Sequence, residues 1–179
     1  MCAAVNITLI SCGYHHTGVI LSDGTIKLWG RTKEGALGDG TSSDSKIGDA
    51  GAETPDNLTA LGPSLFGSGR TVVSIACGLY FSGVVLDNGE VWMTGHAPGG
   101  ELGQGTSSRT TFGQTSNISN ATDIACGSHH TVVLTSAGKI KTWGWNRRIS
   151  GVESGAIGVG ATNSAVNAVT AVQTDASLN

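Results

Sequence analysis

The stretch SCGYHHTGVILSDGTIKLWG, residues 11–30, returns twice along the chain, as ACGLYFSGVVLDNGEVWMTG (76–95) and ACGSHHTVVLTSAGKIKTWG (125–144). The three copies align without a gap. Cys12, Cys77 and Cys126 share one column, each followed by glycine; Gly24, Gly89 and Gly138 share a second, and Gly30, Gly95 and Gly144 a third. The offset is 65 residues from Cys12 to Cys77 and 49 from Cys77 to Cys126, and the other columns keep both offsets. A spacing held at every column is the signature of a repeat architecture. Each copy then runs into a glycine-rich tail: ALGDGT (36–41), ELGQGT (101–106) and AIGVGA (156–161).

Within a copy the pattern reads strand, turn, strand. TGVIL, SGVVL and TVVL are β-branched apolar runs, and TIKLWG, EVWMTG and KIKTWG alternate with a period near two. Asp23-Gly24 and Asn88-Gly89 predict two-residue hairpins with positive φ at both central residues; Ala137-Gly138 suits that turn less well. A further apolar run precedes each Cys-Gly: VNITLIS, VVSIA and the shorter ATDIA. With no capped amphipathic helix in view, the chain is expected to be all-β.

The cluster CGYHH (12–16) raises the question of a zinc site or a Cys/His nucleophile. Comparison of the copies weighs against both. The His-His pair of copies one and three becomes Tyr80-Phe81 in copy two, as a packing position would allow. Neighbouring strand residues also face opposite ways, so His15 and His16 cannot both turn toward Cys12. A buried structural thiol beside a hydrogen-bonded histidine is the preferred reading. No catalytic residue, metal site or cofactor is expected. The GDGT and GQGT stretches open no helix and so do not suit a phosphate cradle.

The pattern [SA]-C-G-x-x-[HF]-[ST]-x-V-[IVL]-x-x-x-G-x-[IV]-x-x-W-G, followed by L-G-x-G-T, resembles the repeat of the regulator of chromosome condensation family. The resemblance covers three repeats between Ile7 and Ala161. It implies a β-propeller-like arrangement of antiparallel blades, with Cys12, Cys77, Cys126, His16, Phe81, His130, Trp29 and Trp143 as structural repeat positions. Phe81 departs from the family histidine, and copy two has Thr94 at the W-G position with Trp92 two residues earlier. The expected organisation is one domain, 1–179, with repeats at about 5–41, 70–106 and 119–161. Residues 162–179 would complete a blade or make a subunit contact.

Two segments depart from the repeat. Residues 42–70 exceed their counterpart by about 16 residues and predict a contact-making loop. Residues 145–155 add WNRRISGVESG, whose Trp145, Arg147 and Arg148 form a candidate binding loop, since Trp and Arg are frequent hot spots.

Charged residues make up only 13% of the 179 residues, against roughly 25% in an average globular chain. Ten Lys and Arg against 13 Asp and Glu provide no basic stripe, which argues against nucleic-acid binding. No segment approaches a membrane span, and the N-terminus makes a poor signal peptide. Three blades are fewer than the roughly four to eight of a closed propeller. The head VNITLISCG and the tail after residue 161 read as halves of one junction, so two copies could close a six-bladed ring. These features lead to the expectation of a non-catalytic structural and binding subunit of a larger assembly, foremost a virus or bacteriophage particle. Its partners would be copies of itself, neighbouring subunits, or a host surface ligand or glycan. Its location would be the virion or an extracellular surface structure, otherwise the cytoplasm. The alternatives are a protein-binding regulatory module of guanine-nucleotide-exchange type, an activity known in the family's founding member, and a glycan-binding propeller lectin.

Overall fold

In the computed structural model the described residues are 5–49, 54–55, 57–67, 69–146, 156–158 and 165–166. They form three four-stranded antiparallel sheets. The first takes β1 (Ile7–Cys12), β2 (His16–Leu21), β3 (Ile26–Arg31) and β4 (Lys46–Ile47). The second takes β5 (Val72–Cys77), β6 (Phe81–Leu86), β7 (Val91–Gly95) and β8 (Arg109–Gln114). The third takes β9 (Ala121–Cys126), β10 (His130–Thr135), β11 (Ile140–Trp145) and β12 (Ala165–Val166). Each sheet is a meander in chain order, and consecutive sheets stack face to face as blades.

One apolar cluster fills the contact between blades one and two, with Ile20, Ile26, Leu28, Leu37, Ile75 and Val84 among its members. A second fills the contact between blades two and three, with Phe81, Val85, Met93, Leu102, Ile124 and Trp143. The middle blade is therefore covered on both faces, and every residue of β6 is buried. This is why SGVVL has no polar alternation: a sheet covered twice needs apolar side chains on both faces. Full burial of side chains such as Val85 or Met93 stabilises by about 1.5 to 3 kcal/mol each.

The repeat motif has a local cause. Gly13, Gly78 and Gly127 donate their N–H to the carbonyls of His16, Phe81 and His130, at 2.8, 2.8 and 2.9 Å. That bond folds each ring back over its glycine, where a Cβ would strike the ring. The spacing Cys-Gly-x-x-His/Phe is thus the spacing of one tight turn roofed by an aromatic side chain.

The structure differs from the sequence expectations in three places. The hairpins are not two-residue turns: Gly24 donates to Leu21 O and Leu21 to Thr25 O, at 2.9 Å each, and Asn88-Gly89 and Ala137-Gly138 follow suit. Only the glycine has positive φ, at 79°, 80° and 71°. This is a three-residue loop closed by a glycine bulge, so Ala137 meets no penalty. The fourth strands of the first two sheets lie beyond the glycine-rich tail, so those sheets extend past the repeat bounds at 41 and 106, while β12 lies within residues 162–179. Residues 42–70 are not a free loop throughout: the described residues from 42 to 59 are mostly exposed, but 61–66 turn back onto the blades. Leu61 bridges Ile26, and Phe66 is buried against Trp92 and Phe112 at ring distances of 5.8 and 5.5 Å. Pro63–Phe66 forms a 3₁₀ turn, and with Leu61 and Leu65 it caps the outer end of the first blade contact. Of the expected junction, the head VNITLISCG (5–13) forms β1 and the turn after it, while the tail after residue 161 lies outside the described residues except for Ala165 and Val166, which pair with Trp145 and Gly144.

His16 sits inside the first contact, its Nε2 2.8 Å from Ser82 Oγ. Ser82 Oγ donates to Ala36 O at 2.7 Å, so it accepts from His16, which fixes the Nε2–H tautomer. Burial, with a smaller contribution from His15, holds the His16 imidazole down at about 4. A histidine resisting protonation in the fold but titrating near 6.5 when unfolded contributes stability that is complete above about pH 6.5. That stability is lost as pH falls toward 4, by roughly 3 kcal/mol in all. Denaturant titrations between pH 7 and 4 are expected to show this loss in the wild type. His16→Phe, which copies Phe81, is expected to flatten the slope while lowering stability at pH 7 by no more than about 1 kcal/mol.

Candidate functional surface

The strand register sorts each repeat into residues that hold blades together and residues that point away. His16 and Phe81 go into the contacts, while their predecessors His15 and Tyr80 lie at the rim, as the alternation of strand side chains requires. The residues following the W-G glycines, Arg31, His96 and Trp145, rise beside them because their N–H groups donate to the carbonyls of His15, Tyr80 and His129 at 2.9, 2.9 and 2.8 Å.

The result is a row of rings along one edge of the three blades. Tyr14 meets His15 edge-on at 4.3 Å between centroids, His15 stacks on Tyr80 at 5.9 Å, and Tyr80 meets His96 edge-on at 6.2 Å. Lys33 Nζ stands 5.8 Å from the Tyr80 centroid, and the Arg31 guanidinium is clamped by both carboxylate oxygens of Asp44. On blade three His129 meets Trp145 at 5.0 Å. Its Nδ1 lies 3.5 Å from Oε1 of the fully buried Glu101, whose Oε2 accepts from Gly99 N at 2.8 Å. Such a row offers broad, partly exposed rings and paired cations, the composition favoured at protein interfaces.

The candidate residues named from sequence separate into three groups. His16, Phe81 and Trp143 are buried between blades, and Trp143 Nε1 donates to Glu101 O at 2.7 Å. Trp29 and His130 occupy the same columns on outer sheet faces and are only partly buried. Trp145 belongs to the rim row, leaning across onto Gly99 of the middle blade. Arg147 and Arg148 lie outside the described residues. Trp92, the displaced tryptophan of copy two, is engaged by Phe66 and donates Nε1 to Glu90 at 3.1 Å. The rim residues Tyr14, His15, Tyr80, His96 and Lys33 were missed because variable columns look uninformative beside invariant ones. The position of His15 and Tyr80 one residue before the His/Phe column, and of His96 one residue after the W-G glycine, was the available signal.

The cysteine column ends at one recess of ≈ 280 Å³, lined by the three Cys-Gly turns. Burial pushes the Cys77 thiol up to about 11 and Cys126 higher still. Both are held as thiols, the inert form, whereas Cys12 is exposed. Among the described residues no three His, Cys, Asp or Glu gather into a metal-holding group. Iodoacetamide at pH 8, followed by peptide mapping, is expected to label Cys12 on the folded protein and to leave Cys77 and Cys126 unlabelled until denaturant is added.

Comparison with known proteins gives these features a family. The regulator of chromosome condensation (RCC1) repeat matches residues 121–148. Over 166 residues, 78% of this chain and 31% of the relative, the chain is 26% identical to the Protein RCC2 homolog of Danio rerio. It is 30% identical over 150 residues to the E3 ubiquitin-protein ligase HERC2 of Homo sapiens, covering 79% of this chain and 3% of that protein. Among solved structures, yeast RCC1 (Prp20) bound to Kap60 superposes with a TM-score of 0.74 at 18% identity, over 96% of this chain and 37% of that one. Prp20p from Saccharomyces cerevisiae, in a study of its binding to Gsp1p and histones, superposes at 0.73 and 18%, over 90% and 37%. The fold is that of β-propeller blades, and the chain spans about a third or less of the relatives it matches. No helix among the described residues is long and apolar enough to cross a membrane.

These findings overturn the expectation of a virus or bacteriophage particle component: the relatives and structures just named are cellular proteins. The features that suggested it have another cause. Low charge and unalternating strands follow from blades burying both faces against one another within the chain. A virion or extracellular surface location, and partners that are particle subunits or copies of this chain, lose their support with it.

Proposed function

From its place in the regulator of chromosome condensation (RCC1) repeat family, we propose that the chain is a protein-binding regulatory module of guanine-nucleotide-exchange type, acting through its rim row of rings. The supporting observation is the continuous run Tyr14, His15, Tyr80 and His96 with Lys33 over Tyr80, held on rigid strand ends yet left accessible. Strand ends fix such side chains more firmly than free loops do, which lowers the ordering cost of binding. Prp20p, which has the same fold, is described with Gsp1p and histones as binding partners. With a net charge of −3, basic proteins and the mixed surface of a small GTPase are both accessible partners.

The module is read as non-catalytic in its own right: its buried thiols are protonated, and His16 is neutral and committed to Ser82. The HERC2 relative shows that such repeats also occur within an enzyme, so this reading concerns these three blades.

The test is release of fluorescent GDP from Gsp1p, measured with and without the chain. Faster release is expected, and Tyr80→Ala is expected to weaken the effect by about tenfold or more, as for a central hot spot, with the melting temperature little changed. Binding without faster release would retain a protein-binding module and discard exchange. No binding would discard this GTPase as the partner class.

A further inference from the structure

The carboxyl of Glu101 is not explained by the blade contact that its backbone serves. Its carbonyl accepts from Thr131 Oγ1 and Trp143 Nε1 at 3.0 and 2.7 Å, as Ala36 O accepts from Ser82 Oγ in the first contact. Copies one and three need no side chain beyond a methyl here, holding Ala36 and Ala156 in the same column of ALGDGT, ELGQGT and AIGVGA. Yet the Glu101 side chain is fully buried. Oε2 accepts from Gly99 N at 2.8 Å, while Oε1 accepts no hydrogen bond from the described residues. Acidic side chains are seldom fully buried without a partner, because leaving water penalises the charge and only a pairing group offsets the loss.

What surrounds that oxygen belongs to the rim. His129 Nδ1 lies 3.5 Å away, where an imidazole answers a carboxylate only while both of its nitrogens carry protons. The His129 side chain is partly exposed and makes no hydrogen bond among the described residues; it meets Trp145 edge-on at 5.0 Å. Trp145 in turn covers Gly99. A Cβ on Gly99 would stand 2.7 Å from indole Cγ and Cδ1 and 3.1 Å from Glu101 Oε1. Indole and unpaired oxygen therefore converge on one point, beside an imidazole restrained by a ring contact and by the carboxyl itself. A turn of His129 about its side-chain bonds opens the carboxyl to the rim.

A carboxyl set behind an indole and an imidazole suits one kind of group. It must be cationic to pair with Oε1, flat to lie against the indole, and weakly hydrated to enter a site closed to water. The arginine guanidinium meets all three demands, whereas the ammonium of lysine is compact and strongly hydrated. We infer that Glu101, His129 and Trp145 form the receiving site for one arginine side chain of the protein that binds the rim. The guanidinium displaces the imidazole, donates to Oε1 and stacks on Trp145. The site also gives the rim a direction: the cations Arg31 and Lys33 belong to blade one, and the acceptor lies at the seam of blades two and three. The inference rests on the rim reading only for the source of the arginine.

The test follows the Trp145 indole N–H of the full-length chain by NMR, assigned by its loss in Trp145→Phe. Two short blocked peptides are added in turn, one with arginine between glycines and one with citrulline, its neutral isostere. The arginine peptide is expected to shift the resonance to saturation and the citrulline peptide to leave it in place. Glu101→Gln keeps the shape and removes the charge; it is expected to weaken the arginine peptide by about tenfold or more while the melting temperature holds. Glu101→Ala, the residue of the other two copies, is expected to do the same and gives a second folded variant. Equal shifts with citrulline, undiminished binding by either folded variant, or no saturable shift overturns the inference. Arginine binding that Glu101→Gln weakens, with no faster GDP release from Gsp1p, keeps this site and discards the exchange reading. Faster release with no arginine-dependent shift does the reverse.

Discussion

Everything in this molecule depends on one sheet seating its isoleucine on the next sheet's glycine. The contact brings two four-stranded sheets close enough for Ser82, Thr94, Thr131 and Trp143 to reach the backbone of the preceding tail. Without those donors the carbonyls of Ala36 and Glu101 would lose the side-chain partners they have across the contact, at about 1 to 3 kcal/mol each, while Gly35 O would keep only the Gly38 N–H. Apolar filling and polar satisfaction are therefore one requirement. The knob sets the distance, and the distance lets the hydrogen bonds form.

The same requirement divides each repeat into fixed and free columns. Residues entering the contact are constrained by volume and by hydrogen-bond chemistry, and they change only in matched pairs. Where blade one offers His16, blade two answers with Ser82, which can accept from an imidazole and still donate to Ala36 O. Where blade two offers Phe81, blade three answers with Thr131, which gives its hydroxyl to Glu101 O alone. One position outward the constraint lapses. Arg31, His96 and Trp145 all differ, and Tyr80 stands where the other two copies have His15 and His129; this freedom is what allows a scaffold to carry a particular recognition surface.

Much of the fold could be read from the chain because its physics is local. The Cys-Gly-x-x-His/Phe turn, the hairpin glycine and the β-branched runs each encode a conformation within a few residues, and repetition confirmed them. Less legible was whatever depends on contacts far apart in sequence. Residues 42–70 read as a free loop because no pattern in PSLF announces that Phe66 will meet Trp92 and Phe112. The fourth strand of the first sheet could not be placed from sequence because Lys46–Ile47 is only two residues long and gains its identity from pairing with Gly30 and Arg31. The rim was overlooked for the opposite reason: its residues vary, and aligning the repeats emphasises what stays the same. Low charge was visible but misassigned, since composition reports burial without saying what does the burying.

Repeats that stack by one rule have a direction, because each front must fit the back that follows it. Gly18 and Gly83 leave the gap in which Ile75 and Ile124 of the following blade lie. The same column in blade three holds Val132, so that front is apolar without the gap. The stacking rule is therefore steric as well as apolar: in an interior packed to crystal density, shape and not apolar area alone decides which faces can meet.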